Sequence, residues 1–326
     1  MKAGTVFSIW FLFILLLAGC ENDNVKLGSS NEANTAPSLA MSIEKPTLMV
    51  ATGDMSGVYF PLGQALAGIL EKYNGIATGT RVTNASIQNA HLVSAKQAEL
   101  GICTVDVLSL PEIKKDNLRA LTGLYSNYIQ IVTTDSSIQS IEDLSGKRVS
   151  LGTEGSGTKL TAERIVQAAN LTKDEMDISY LSFTQSAAGL RNGTIDAAFF
   201  SSGLPNPVIE DMMKDMNVTL VAIPEKIVGQ MQTEYGVYQS EEISAETYDT
   251  LEERIPTLSV KNVLLTHADI PDSEAYNMLQ TIYQHLGEWQ EVHPAARFIS
   301  QGEAMEGVPI EFHSGAKKYF KEVGGK

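Results

Sequence analysis

Two long extended stretches, 118–135 and 258–266, constrain the fold of this chain more than anything else in it. In the first, Leu121, Leu124, Ile129, Ile131 and Val132 are interleaved with polar residues. Between the two stretches lies a compact run of short strands and helices, and a similar run precedes the first. This layout predicts two lobes joined by two crossing strands, with the C-terminal part returning to the first lobe. Strand–helix alternation implies a mainly parallel sheet covered on both faces, an α/β class.

The elements follow from local signals. A strand at 47–52 leads into a turn at 53–57. Ser56 is placed to cap the next helix, with Pro61 in its first turn, where a missing N–H costs little. Leu62, Leu66, Ile69 and Leu70 form the apolar stripe of that helix. A second strand is expected at 81–85, after which Ser86 opens a helix, and a third at 100–105, ending at Asp106. Further on, a strand at 149–152 precedes the turn Gly155-Ser156-Gly157-Thr158. The helix after it carries Leu160, Ala162, Ile165 and Val166, and Asn170 stops it. A strand at 180–183, a helix capped by Thr184 and ending at Asn192-Gly193, and an apolar strand at 195–200 complete the inner unit. The C-terminal part is read as helical at 273–291 and after Ser314.

The N-terminus has a separate logic. Lys2 precedes an uncharged apolar run at 6–18, the length of a signal-peptide core and short of the roughly 20 residues a bilayer requires. It ends in Leu17-Ala18-Gly19-Cys20, which resembles the lipobox of bacterial lipoproteins. That resemblance implies lipidation of Cys20 and a location in the cell envelope, facing the periplasm or the outside. Residues 21–42 are rich in Asn, Ser, Ala and Glu and too poor in bulky apolar groups to offset ordering entropy. They are read as a tether spanning roughly 25 Å. That leaves about 280 residues for the folded body, enough for two ordinary cores.

The formal charge is −15, and −16 once Lys2 leaves with the leader. This argues against nucleic acid, and against binding anionic lipid through a basic surface. Cys20 and Cys103 are the two cysteines. With Cys20 acylated, Cys103 has no intramolecular partner and is read as a small buried hydrophobe. The five histidines, His91, His267, His285, His293 and His313, show no metal-ligand spacing and are read as surface or capping residues. No nucleophile elbow, nucleotide loop or Cys–His pair appears. The chain is therefore read as a non-enzyme with no catalytic residues, cofactor or metal.

What remains is a binding reading. Loops at the C-terminal ends of parallel strands form the ligand crevice of open α/β sheets. Four such loops here are rich in small and hydroxylated residues. The first supplies Thr52, Ser56, Gly57 and, just beyond it, Tyr59; the second supplies Asn84 and Ser86. The third supplies Thr153, Ser156, Gly157 and Thr158, and the fourth supplies Ser201, Ser202 and Gly203. Helix N-termini present free N–H groups and positive partial charge, which suits an anion. The 155–158 turn is either such a cradle or a plain helix cap. Tyr59 and Tyr125 either read the ligand or pack in the core. Asp106 either caps a helix or receives a ligand amine.

The ordered motifs also resemble the TAXI family, solute receptors of tripartite ATP-independent periplasmic (TRAP) transporters. The carrying residues are Thr52-Gly53, Gly57 to Gly63, Asn89, Leu124-Tyr125, Ile141 to Val149, Gly155 to Thr158, Leu181 to Phe183 and Asp196 to Phe200. Gly203-Leu204-Pro205-Asn206-Pro207 is the most distinctive, with His293 to Ala296 and His313 to Ala316 following. Asp54-Met55, Ala85 and Ser314 depart from the family pattern. The resemblance implies a two-lobed, periplasmic-binding-protein-like (type II) fold with two crossing hinge strands. Its expected boundaries are a signal peptide at 1–19, tether at 20–43, lobe 1 at 44–132 plus 262–326, and lobe 2 at 133–261. It implies a monomeric receptor for a small anionic or zwitterionic solute, an amino acid such as glutamate or an organic acid. The implied partners are the TRAP membrane subunits, with the membrane reached through the lipid anchor. Alternatives are the binding protein of an ABC importer, or a ligand-sensing lipoprotein serving a membrane kinase.

Overall fold

The computed structural model describes residues 48–324. The signal-peptide, lipidation and tether expectations at 1–43 lie outside these residues. No helix of the described residues is long and apolar enough to cross a membrane.

The first half begins with β1 (Leu48–Ala51), α1 (Tyr59–Asn74), β2 (Thr78–Arg81), α2 (Ser86–Ser94) and β3 (Leu100–Thr104). Leu62, Leu66, Ile69 and Leu70 are buried along α1 as the spacing predicts. Gly75, in the left-handed region, ends that helix. The second strand sits earlier than expected, at 78–81 rather than 81–85. There it pairs in parallel with β1, and the residues after it turn toward α2.

The first long segment is β4 (Leu118–Thr133), one unbroken strand. The second half then runs through β5 (Arg148–Ser150), α3 (Gly157–Ala168), β6 (Asp177–Ser179), α4 (Phe183–Asn192) and β7 (Ala197–Ser202). The strand expected at 180–183 ends at Ser179, because Ser182 and Gln185 form a capping box that starts α4 two residues earlier than expected. Next come α5 (Pro207–Met213), β8 (Thr219–Val221), α6 (Glu225–Tyr235) and β9 (Tyr238–Ile243). Pro207 at N1 and Pro224 at the N-cap mark the two helix starts. The second long segment is β10 (Ile255–His267). The chain closes with α7 (Asp272–Gln284), α8 (Leu286–Gln290) and α9 (Ser314–Glu322).

The strands are ordered β2-β1-β3-β10-β4-β7-β5-β6, with β8 also on β4 and β9 on β10. β1, β2 and β3 are mutually parallel, as are β5, β6 and β7. β4 and β10 run antiparallel between these groups and exchange partners along their length. β10 pairs β9 through 255–260 and β3 through 262–266. β4 pairs β7 through 128–133. This is the two-lobed α/β fold of periplasmic solute-binding proteins, with β4 and β10 as the crossing strands.

The register between β4 and β10 shifts between Lys261 and Val263. Lys261 faces Ser126 and Val263 faces Gly123, so Leu124 and Tyr125 together oppose Asn262. Such a bulge bends and twists its strand locally. The C-terminal helices pack on the first lobe, where Trp289 Nε1 donates to the Leu62 carbonyl at 2.9 Å.

Candidate ligand-binding site

Where the lobes meet, a cavity of about 490 Å³ opens. It is built on four helix N-termini. Gly57, Val58 and Tyr59 bring the start of α1; Asn84, Ala85 and Ser86 bring α2. Ser156, Gly157 and Thr158 bring α3, and Ser182, Phe183 and Thr184 bring α4. Each N-terminus carries about half a positive charge from unsatisfied N–H groups. The α3 and α4 ends are capped by Ser156 and Ser182, which accept from Lys159 and Gln185. Those of α1 and α2 have no side-chain cap.

Eleven of the fifteen expected ligand residues line this cavity: Gly57, Tyr59, Asn84, Ser86, Tyr125, Thr153, Ser156, Gly157, Thr158, Ser201 and Ser202. Four do not. Thr52 is fully buried, and its hydroxyl donates to the Arg81 carbonyl at 2.9 Å, tying β1 to the end of β2. Ser56 does not cap α1. Its N–H donates to Asp54 Oδ1 at 2.8 Å and its hydroxyl to the same oxygen, closing a tight turn, and α1 starts later at Tyr59. Gly203 lies behind the wall, and a Cβ there would stand 2.5 Å from Ala295 Cβ and 2.8 Å from the Tyr125 ring. Asp106 belongs to a 3₁₀ turn after β3 and is held by side chains of the other lobe, away from the cavity.

The site also contains residues the sequence did not single out. Asn127 lines the floor and donates to the Ser201 carbonyl at 3.2 Å. Asn262 stands behind it, donating to Asn127 Oδ1 at 2.8 Å and accepting from the Tyr59 hydroxyl. The pair thus links α1 of the first lobe to β7 of the second through both crossing strands. Leu181, Phe183 and Gln185 were also missed, although Ser182-x-x-Gln185 was a legible capping box. Apolar groups from Val58, Ala85, Leu181 and Phe183 supply the rest of the wall.

Electrostatically the lining is sparse. Among the described residues that line it, Asp54 is the one charged side chain. Lys159, at its edge, turns to Glu154 at 2.8 Å. Tyr125 is almost completely buried, and its hydroxyl has no hydrogen-bond partner. Burial pushes both the Tyr125 and Tyr59 hydroxyls well above the ordinary tyrosine range, so both remain neutral donors. An unpaired buried hydroxyl costs about 1–3 kcal/mol.

The lobes touch around the cavity. Gln88 N–H donates to the Gly155 carbonyl at 3.1 Å. Gly157 stands against Ser86 and Thr104, and a Cβ there would lie 2.5 Å from Thr104 Oγ1.

The other chemical groups are otherwise engaged. Cys103 is fully buried, and burial raises its thiol far above the usual range. His293 and His313 accept from Ala295 and Gly315 N–H groups, which makes them turn and helix caps.

Fold and cleft together match the two-lobed, periplasmic-binding-protein-like architecture expected from the sequence. The chain belongs to the NMT1-like family, whose sequence profile matches residues 50–324. The fold recurs in solved structures. A protein from Bordetella bronchiseptica RB50 is 14% identical with a TM-score of 0.50, covering 84% of this chain and 88% of that one. The periplasmic aliphatic sulphonate binding protein SsuA from Escherichia coli is 16% identical at TM-score 0.46, covering 77% and 73%. An ancestral arginine-binding protein bound to arginine is 14% identical at 0.49, covering 78% and 99%. Identities this low speak to the fold alone.

Proposed function

We propose that this chain is an extracytoplasmic receptor that captures a small anionic or zwitterionic solute between its lobes and delivers it to a TRAP-type secondary transporter. One observation carries the reading. Four helix N-termini converge on a cavity with no basic side chain in its lining. In such a site a carboxylate is held by N–H groups and hydroxyls rather than by an ion pair. Amino acids such as glutamate and small organic acids fit that chemistry, and Asp54 is the lining carboxylate open to an amine. The TAXI-like order of motifs supports delivery to a TRAP permease, and the leader ending at Cys20 supports a lipid anchor in the envelope.

The lobes are taken as 44–132 plus 262–326 and 133–261, with β4 and β10 crossing between them. Solute contacts with both lobes favour the closed form, which docks on the permease. Native mass spectrometry of protein purified from its own host identifies the retained solute. Calorimetry with that solute is then repeated on Ser156→Ala and Thr158→Ala. Weaker binding in both is expected, and unchanged affinity in both removes the cradle. Neighbouring genes for TRAP membrane subunits support the delivery step; an importer ATPase or a histidine kinase there replaces it.

A further inference from the structure

Asp106, read from sequence as a cap or an amine ligand, lies outside the lining of the cavity. It lies in the 3₁₀ turn Val105–Ser109 of the first lobe, fully buried. Its side-chain partners come from the second lobe. Thr161 Oγ1 donates to Asp106 Oδ2 at 2.8 Å, and the Tyr238 hydroxyl donates to the same oxygen at 2.9 Å. The Arg164 guanidinium stands 3.9 Å away. It donates to the Tyr238 hydroxyl at 2.9 Å and to Ser109 Oγ at 2.7 Å, and it stacks on the Tyr235 ring at 3.9 Å.

The helix that makes these contacts also builds the cavity. Gly157, Thr161 and Arg164 lie at i, i+4 and i+7 of α3, on one helical face. Gly157, at the head of that face, lines the cavity and abuts Ser86 and Thr104. Thr161 Oγ1 also lies 3.0 Å from the Gly157 carbonyl, so the contact with Asp106 reaches the first turn of the helix. We propose that Asp106 is a positioning residue that latches α3 to the first lobe, so that lobe closure and placement of the 156–158 turn at the solute are one event.

The chemistry suits a reversible latch. In an open form, Asp106 and Arg164 recover their hydration. In the closed form their desolvation offsets much of their attraction, so the pair contributes geometry more than net stability. The latch does not depend on which solute fills the cavity, and it holds part of the solute-free population closed, with solute completing the closure, so its test needs none.

The double variant Thr161→Val, Tyr238→Phe removes both donors to Asp106 at nearly constant volume. It is compared with the native chain and with Thr161→Ser, all freed of retained solute by dialysis in urea and refolding. Hydrogen-exchange mass spectrometry and small-angle scattering are the readouts. In the double variant, the amides at 158–165 exchange at least about tenfold faster and the radius of gyration rises. Thr161→Ser keeps native values of both. A double variant that melts earlier yet keeps native exchange at 158–165 and a native radius has lost a merely structural contact, and that result overturns the latch. A native chain that binds no solute in calorimetry overturns the receptor reading and leaves this result standing.

Discussion

The side-chain amide of Asn262 donates to the Tyr125 backbone carbonyl at 2.9 Å. Tyr125 is one of the two β4 residues that oppose Asn262 across the bulge, and the asparagine satisfies a carbonyl at the point where the ladder is interrupted. The same amide group donates to Asn127, and its oxygen accepts from Tyr59. Asn262→Ala therefore leaves several buried polar groups unpaired, each costing about 1–3 kcal/mol. Urea unfolding should show a loss of at least about 2 kcal/mol with an unchanged slope. A loss below about 0.5 kcal/mol, the ordinary scale for a neutral surface change, means that the bulge does not need the asparagine.

Tyr125 gives the opposite expectation. Its hydroxyl is buried without a partner, so Tyr125→Phe removes a penalty from the solute-free protein. Thermal unfolding without solute should be unchanged or later. Affinity for the retained solute should stay within about twofold of native, a change well under one hydrogen bond, since the hydroxyl presents no surface to the cavity. A variant that loses stability shows that the hydroxyl has a partner in the folded protein.

Ala85 sits at φ 72°, ψ −140°, a region suited to glycine, and it is a non-glycine residue. Such a conformation costs roughly 1–3 kcal/mol. Glycine at this point relieves that cost and forfeits about 0.4–1 kcal/mol through its freer unfolded chain. Ala85→Gly should therefore stabilise the protein by about 1 kcal/mol. A denaturation midpoint that falls shows that the Cβ packing outweighs the backbone strain.

Much of the fold was legible because its signals are local. The stripes of α1 and α3, Gly193 after α4 and the two long segments all follow from short-range pattern. So did most of the cleft, since small hydroxylated loops after parallel strands stand out in sequence. Asn127 and Asn262 did not. Each occurs within a strand, where a polar residue reads as ordinary alternation, and only the β4–β10 register brings them together. Asp106 was noticed, yet its role depends on Thr161 and Tyr238, which lie 55 and 132 residues away. Within 208–255 no strand or helix is expected from the sequence. The short elements of this segment are defined by β8 on β4 and β9 on β10, pairings that are long-range.

Acid should weaken the second lobe. Arg148 hydrogen-bonds Asp196 through two nitrogens, at 3.0 and 2.6 Å, and its backbone N–H donates at 2.8 Å. The Arg148 guanidinium holds the Asp196 carboxyl below the usual carboxylate range. Lys147 and Ser137 lower Asp135 likewise. A carboxyl depressed in the folded state stabilises it fully above the unfolded value of about 3.9, and that stability is lost as pH falls through the folded value. Urea midpoints should therefore hold from pH 7 to about 5 and drop below about 4. Asp196→Asn should be less stable at neutral pH and show a shallower acid limb. An identical limb in the variant assigns acid sensitivity elsewhere.

Gly157 tests closure directly. It belongs to α3, yet its open side faces Ser86 and Thr104 of the other lobe, with Thr104 Oγ1 2.5 Å and Ser86 Oγ 3.0 Å from where a Cβ would stand. Its backbone conformation does not require glycine, since no positive φ is recorded there. Alanine in the first turn of α3 should therefore leave the helix intact, and alanine is the better helix former by roughly 1 kcal/mol. What it removes is the space into which the lobes close. Gly157→Ala should fold with native far-ultraviolet dichroism and near-native stability. It should lose at least about a hundredfold in solute affinity, equal to about 2.7 kcal/mol, and show no compaction in scattering when solute is added. A variant that binds and compacts like the native chain shows that Ser86 and Thr104 give way, and that closure does not depend on contact at this glycine.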